Sequence, residues 1–250
     1  MFTYNNYFKI LKKIKKKRKI ITFSDYLKKK KIKKNFLILR HDIEYFPEAA
    51  LALGKIEKKL NIKSTFFFLI TSTYNIFSEL NIDIISKLKK MGHEFGLHYD
   101  ANLLKNNLGL NIKKNLIKQI DLFENFYHCK ISAISCHRPK KYYEKIKIKS
   151  VINVYDASFH KEIKYFSDSQ QRYRENIDSI IDSNQNLHFL VHDYTWSRHG
   201  NTWQKNIKDF FNYENFKLRK YYLDTIDQWN IGLAMRKTKD VNFKKKILNK

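Results

Sequence analysis

Residues 36–44, Phe-Leu-Ile-Leu-Arg-His-Asp-Ile-Glu, run four apolar side chains directly into Arg40, His41, Asp42 and Glu44 with no turn residue between them. An apolar run this short, rich in Leu and Ile, predicts a strand buried on both faces. Its charged end delivers two carboxylates and an imidazole to the rim of a sheet, where open α/β sheets and barrels keep their chemistry. Taken alone, the same pattern also describes a salt-bridged strand end.

The pattern recurs down the chain. Pro47-Glu48 opens a helix with Ala50, Leu53, Ile56 and Leu60 on its apolar positions, since proline and acids suit a first helical turn. A second buried run, 64–70, ends at 71–74. After a helix over 82–90 and a turn at Met91-Gly92, the short strand 94–97 ends at His98-Tyr99-Asp100. The helix over 111–127 aligns Ile112, Leu116, Ile120 and Phe123 on one face. Strand 131–135 ends at Cys136-His137-Arg138-Pro139, strand 162–166 at Ser167-Asp168-Ser169, and strand 187–191 at residues 192–196, His-Asp-Tyr-Thr-Trp.

Strands alternating with helices imply a parallel sheet with right-handed crossovers. Six such strands in 250 residues, each with polar residues at its C-terminal end, fit a closed or nearly closed (β/α) barrel. No glycine-rich phosphate loop follows any strand, which argues against a doubly wound dinucleotide fold. Residues 1–34 read as a basic helical N-terminal extension, with Tyr7, Ile10, Leu11 and Ile14 at helical spacing and a lysine-rich solvated face over 28–34. Residues 35–250 read as the barrel domain, closed by helices after Trp203.

The net charge of +26 comes mostly from lysines scattered among abundant Asn and Ile, a composition bias rather than the footprint of a nucleic acid. No basic-aromatic recognition motif appears, so no nucleic-acid partner is expected. Two cysteines, Cys129 and Cys136, without a C-x-x-C pair fit a reducing compartment. Lysines over 12–17 interrupt any signal-like apolar stretch, and there is no apolar run of about 18 residues. A cytoplasmic protein without a transmembrane segment is expected, with peripheral membrane contact left open.

The residues expected to converge at the rim are His41, Asp42, Glu44, His98, Asp100, His137, Arg138, Asp168 and His192. Carboxylates with imidazoles suit a divalent metal, and three protein ligands leave a position for water. Water bound to such a metal loses a proton near neutral pH. A second carboxylate can then serve as general base and a separate histidine as general acid. His98, His137 and His192 each fall just past a strand. His93 precedes its strand and belongs to the opposite end, and His128, His160, His188 and His199 carry no comparable signal.

The pieces 40–44, 64–68, 92–98, 137–139, 164–169 and 192–193, in that order, resemble the polysaccharide deacetylases of the NodB-homology group, carbohydrate esterase family 4. The resemblance is nearest to a branch marked by Arg-His-Asp-hydrophobic-acid. It implies a distorted (β/α) barrel of six to eight strands. It also implies metal-dependent hydrolysis of an N- or O-acetyl group on a sugar or glycan precursor, in cell-surface polysaccharide biosynthesis. Carried over, Asp42 resembles the general base, Glu44 takes the place of the metal-binding aspartate, and His98 resembles the first metal imidazole. Arg138 resembles the arginine that orients the base, and His192 the histidine that protonates the leaving amine.

The chain departs from that pattern where Ile43 separates the two acids, leaving open which of Asp42 and Glu44 holds the metal. Asn102 stands where a second imidazole is usual, so the third ligand falls to His137 or Asp100, with His137 preferred for its ligand type. His41, Asp100, Asp168 and Trp196 are expected to face the substrate, an acetylated sugar, sugar nucleotide or glycan. Zinc is the expected metal, with cobalt, nickel or manganese as alternatives. The competing readings are a non-catalytic glycan-binding barrel (a pseudoenzyme) and a metal-dependent amidohydrolase acting on a non-sugar substrate.

Overall fold

The computed structural model describes residues 2–28, 35–109, 111–139 and 146–237, the side chains of 106, 107, 158, 160 and 232–237 excepted. In chain order the regular elements are α1 (Tyr4–Lys17), β1 (Lys19–Ile21), α2 (Phe23–Lys28), β2 (Phe36–Ile43), α3 (Pro47–Lys59) and β3 (Thr65–Leu69). There follow α4 (Glu79–Lys90), β4 (Glu94–Tyr99), a π-helical turn (Leu103–Asn107), α5 (Ile112–Tyr127), β5 (Ile131–Cys136) and β6 (Ile152–Asn153). The chain then forms α6 (Ala157–Glu162), β7 (Lys164–Ser167), α7 (Ile177–Asp182), β8 (Leu187–His192) and α8 (Trp203–Lys237). The described residues fall into two compact units, one ending at Asn206 and the other beginning at Ile207.

The eight strands make one parallel sheet in the order β6-β5-β4-β3-β2-β8-β7, with β1 beside the first half of β2. The architecture is a distorted (β/α) barrel. β6 and β7 stand at its two ends, unpaired to each other among the described residues. The segment expected to be purely helical at the N-terminus also supplies β1, so the sheet includes it. Tyr7, Leu11 and Ile14 of α1 are fully buried against β2, α3 and β8. The lysine-rich stretch read over 28–34 lies, beyond Lys28, outside the described residues. Among the described residues no helix is long and apolar enough to cross a membrane.

Period-two alternation sorts each strand into a helix-facing and an interior-facing row. In β2, Leu37, Leu39 and Ile43 pack under the helices, while Ile38 joins Phe67, Ala133, Phe23, Val154 and Phe159 inside the barrel. The helix-facing row also carries His41. Its Nε2 lies 2.7 Å from Glu57 Oε1, and its ring stacks on Phe66 at 4.3 Å between centroids. The same buried Glu57 accepts a 2.6 Å hydrogen bond from the Tyr7 hydroxyl and one from Ser64. This network pins α1 and α3 to the outside of the sheet. His93 belongs to it too, its Nε2 3.2 Å from the Gly54 carbonyl, well below the rim as its place before β4 predicts.

The interior is filled from β3 by Phe67, whose ring lies against Gly96 of β4. A Cβ built at position 96 would stand 2.4 Å from the Phe67 ring, so only glycine fits between them. Gly96→Ala is therefore expected to destabilise the fold by roughly 1–3 kcal/mol through overpacking. Urea denaturation measures the loss, and adding Phe67→Leu should recover part of it; no change in midpoint for the single variant would show the interior to be slack.

Candidate metal and acid–base site

The strands end on one rim, and their interior rows carry the polar residues there. Glu44 lies one residue beyond β2, on a loop held from the neighbouring strand end by Asp193. Asp193 Oδ2 accepts the backbone N–H groups of Glu44 at 3.0 Å, Tyr45 at 2.7 Å and Phe46 at 2.5 Å. The Ser72 hydroxyl also donates to the Glu44 carbonyl. A carboxylate collecting three N–H groups from one loop fixes that loop, and with it the direction of the Glu44 side chain. Burial raises the Asp193 carboxyl to about 7 even though these N–H groups act to lower it.

His98 is the interior residue near the end of β4. Its Nδ1 lies 3.0 Å from the Ser135 carbonyl and 3.1 Å from the Ser135 hydroxyl. A carbonyl only accepts, so Nδ1 carries the proton and Nε2 offers its lone pair to the rim. His137 follows β5, its backbone N–H held by the Tyr99 carbonyl at 2.8 Å. Its Nδ1 stands 3.2 Å from Glu44 Oε1 and 3.3 Å from His98 Nε2, and the third side of the triangle, Glu44 Oε1 to His98 Nε2, is 3.5 Å. Burial raises the Glu44 carboxyl; the imidazoles of His137 and His98 beside it outweigh this and hold the group well below the usual carboxylate range.

These three donors fit a divalent metal. Tetrahedral zinc with bonds of about 2.1 Å separates its ligands by about 3.4 Å, the spacing of this triangle. Two imidazoles and one carboxylate are also a common donor set for a site that keeps a position open. The chemistry of the set admits cobalt, nickel and manganese as well.

Asp42 lies one turn of the pleat below Glu44. Both its oxygens are held by Arg40, Nε to Oδ1 at 2.7 Å and Nη2 to Oδ2 at 2.5 Å, and the Arg40 guanidinium also donates to Ser135. Burial pushes the Asp42 carboxyl up, and the guanidinium outweighs it, leaving the group ionised below its ordinary range. His98 Nδ1 is 3.7 Å from the same carboxylate. The guanidinium beside Asp42 thus belongs to Arg40, which shares an interior row with it two residues earlier. Arg138, expected in that role, is exposed, has φ of 48° and hydrogen-bonds the Tyr45 side chain.

His192 ends β8 directly opposite Asp42 in the β2–β8 register. Its Nδ1 is 2.7 Å from Asp168 Oδ1, and Asp168 also accepts the His192 backbone N–H and the Trp196 indole N–H. Burial lowers the His192 imidazolium, but the Asp168 hydrogen bond and the charges of Glu44 and Asp42 raise it to about 9. Asp168 and Trp196, both buried, therefore hold His192 instead of facing an open cleft. Asp100 accepts the Leu103 N–H and caps the π-helical turn, and His41 lies on the helix side of β2.

The rim thus brings together Asp42, Glu44, His98, His137 and His192, with Asp168 behind the last. It leaves His41, Asp100, Arg138 and Trp196 in other roles. Arg40 and Asp193 stand in strand-end motifs of the sequence without a role assigned to them there. The i, i+2 spacing of Arg40 and Asp42 on a strand is the available signal for the first, and the place of Asp193 directly after His192 at the end of β8 for the second.

No family model matches the chain, and no curated protein matches it. Solved structures that superpose on it include the family 4 esterase domain of a multidomain xylanase from the hindgut metagenome of Trinervitermes trinervoides, at 14% identity over 63% of this chain and 73% of that one, TM-score 0.44. A chitin deacetylase from the fungal pathogen Colletotrichum lindemuthianum matches at 15% identity over 70% and 80%, TM-score 0.40. A family 4 pseudoenzyme from Bacillus anthracis matches at 14% identity over 70% and 60%, TM-score 0.40. At these identities and scores the chemistry of the rim has to be argued from its own geometry.

Removing the Arg40 guanidinium leaves the buried Asp42 charge uncompensated, so Arg40→Ala is expected to cost about 3–5 kcal/mol. Arg40→Met combined with Asp42→Leu should be close to neutral, because burying an ion pair gains little over apolar packing of like volume. Chemical denaturation of the two variants separates these outcomes. The folded Asp42 carboxyl lies below its unfolded value, so its contribution is present above the unfolded value and is lost as pH falls through the folded one.

Proposed function

We propose that the chain is a metal-dependent deacetylase that hydrolyses the N-acetyl, or O-acetyl, group of a sugar or glycan precursor. What carries the reading is that a His98–His137–Glu44 donor triangle, a carboxylate held ionised by a guanidinium and an imidazolium held by a carboxylate share one rim. These are the three parts acyl hydrolysis requires. The acetylated-sugar assignment is supported by the ordered sequence motifs, and zinc by the donor set.

A divalent ion held by Glu44, His98 and His137 would polarise the acetyl carbonyl and acidify a water beside it. Asp42 accepts the proton of the attacking water. The Arg40 bidentate pair orients its carboxylate and keeps it ionised at neutral pH. His192, kept protonated by Asp168, gives a proton to the departing amine, so amide and water become acetate and free amine. Trp196 and the His192 backbone N–H use the remaining lone pairs of Asp168, which fixes the imidazole in the plane that presents Nε2 to the leaving group. Asp42 and Glu44 thus divide the two roles left open by the sequence. Asp42, gripped by Arg40 on both oxygens, acts as base, and Glu44, beside two imidazoles, acts as ligand.

Acetate release from N-acetylated sugars and sugar nucleotides in the presence of Zn²⁺ or Co²⁺ tests the reading. Purified protein should retain one equivalent of transition metal by elemental analysis, lost together with activity in His98→Ala. Asp42→Asn should keep the metal and lose about 10²–10⁴ in kcat. Protein without stoichiometric metal, and turnover unaffected by either substitution, would remove the proposal.

The acid role has its own signature. Activity should decline as pH rises through about 9, where His192 loses its proton. Asp168→Asn removes the group that raises it, so the basic limb of the kcat/KM profile should move to lower pH. A limb that stays in place would assign the acid to another group.

A further inference from the structure

Arg138 takes no part in the proposed reaction, yet it stands beside it. It follows the donor His137 directly, and its guanidinium donates to the side chain of Tyr45, which follows the donor Glu44. Two residues, each one step beyond a donor of the triangle, thus meet at its edge. The backbone is bent to put the arginine there. Its φ is 48°, in the left-handed region that side chains disfavour, although the following Pro139 favours extended backbone at this position. Backbone held there works against folding, and such residues gather where a side chain has to be placed for function.

The guanidinium is exposed and forms no ion pair among the described residues. The carboxylates of the rim are committed elsewhere. Arg40 grips Asp42 on both oxygens, His192 holds Asp168, and the imidazoles of His98 and His137 flank Glu44. Three backbone N–H groups hold Asp193, and the Leu103 N–H binds Asp100. Arg138 is therefore the cation at this rim that the fold does not answer. A guanidinium is never deprotonated in proteins, and its rigid fork matches a carboxylate or phosphate two oxygens at a time. Beyond Tyr45 lies Tyr194, with ring centroids 5.8 Å apart, and Tyr194 stands 5.2 Å from the ring of His192. Two half-buried tyrosines, stiff and amphipathic, thus lead from the guanidinium to the imidazole proposed as acid.

We propose that Arg138 selects an anionic substrate, an acetylated sugar bearing a phosphate or carboxylate that seats on the guanidinium while the acetyl group lies at the donor triangle. The inference rests on the deacetylase reading for the acetyl group and goes beyond it in fixing the charge of the rest of the molecule. Binding to the full chain is measured by isothermal titration calorimetry with three probes. These are N-acetylglucosamine, N-acetylglucosamine 1-phosphate, and N-acetylmuramic acid, whose lactyl group puts a carboxylate on the same sugar. At least one charged sugar is expected to bind about tenfold or more tighter than the neutral one, because hydrogen bonds between charged groups are the strong ones. The arm that gains identifies the anion.

Arg138→Gln should bring that ratio close to one, and Arg138→Lys, which keeps the charge and loses the fork, should retain part of it. Arg138→Gly should erase the ratio as well while holding or raising the urea midpoint, since glycine adopts the left-handed backbone without strain. That variant separates loss of the guanidinium from loss of the fold. Three equal affinities, no binding of any probe, or a charge preference that survives Arg138→Gln and Arg138→Gly overturns the proposal. Acetate release decides the other reading separately. An Arg138-dependent charge preference without acetate release leaves the anion site standing and removes the reaction. Acetate release at equal kcat/KM from neutral and charged sugars leaves the reaction and removes the anion site.

Discussion

Parallel pairing in fixed register is what turns strand ends scattered over more than 150 residues of sequence into one site. Asp42 lies opposite His192 across β2 and β8, and His98 opposite Ser135 across β4 and β5. Because side chains alternate faces, a one-residue slip of β2 would carry Arg40 and Asp42 out beneath the helices and bring His41 inside. Two separate packing demands prevent the slip. Leu37, Leu39 and Ile43 need the helices, and Ile38 needs the barrel interior beside Phe67. The His41–Glu57–Tyr7 network locks the outer row further, so a residue away from the rim helps to set the phase of those on it.

Above that packing the interior row of β2 carries Arg40, then Asp42, then Glu44 past the strand end, one cation followed by two acids. Successive members stand about 6.6 Å apart along the strand, so Arg40 stabilises the ionised state of Asp42, while the two carboxylates oppose one another and Glu44 needs partners of its own. Arg40 neutralises Asp42 from below, and His98 and His137 meet Glu44 from the side. The acid half of the rim is built separately, by Asp168 on His192. Asp193 joins the two halves covalently and by hydrogen bonds, since it follows His192 in sequence and holds the loop that bears Glu44.

The barrel and the principal rim residues were legible in the sequence because each long strand announces itself twice, as an apolar run and as the polar residues that end it. His98, His137, His192, Asp42 and Glu44 all follow from that. β1 and β6, three and two residues long, have no run to detect and take their place from neighbours alone. The cluster 40–44 looked like one rim group, but alternation divides it, sending His41 to Glu57 and Arg40 to Asp42. Asp168 and Trp196 were visible as strand-end residues. Their side chains are consumed by His192, a partnership that depends on the β7–β8 pairing and so cannot be seen in either segment by itself. Arg138 matched a family position, yet at φ of 48° just past β5 it is turned towards Tyr45, and an arginine already on β2 occupies the ground beside Asp42.

A structural account of the rim without function has to explain why it is so expensive. Asp42, Arg40, His98 and Asp168 are almost wholly out of solvent, and well-packed apolar residues of similar volume would serve a passive barrel as well or better. The buried charges pair, Arg40 with Asp42 and Asp168 with His192, but the ligand atoms of Glu44, His98 and His137 lie within 3.5 Å of one another, an arrangement that suits a cation between them. His192 and Asp42, opposite one another in register, are pushed in contrary directions, the imidazole towards retaining its proton and the carboxyl towards losing it. Paired groups whose environments drive their protonation apart in this way are the arrangement that acid–base chemistry requires and that folding does not.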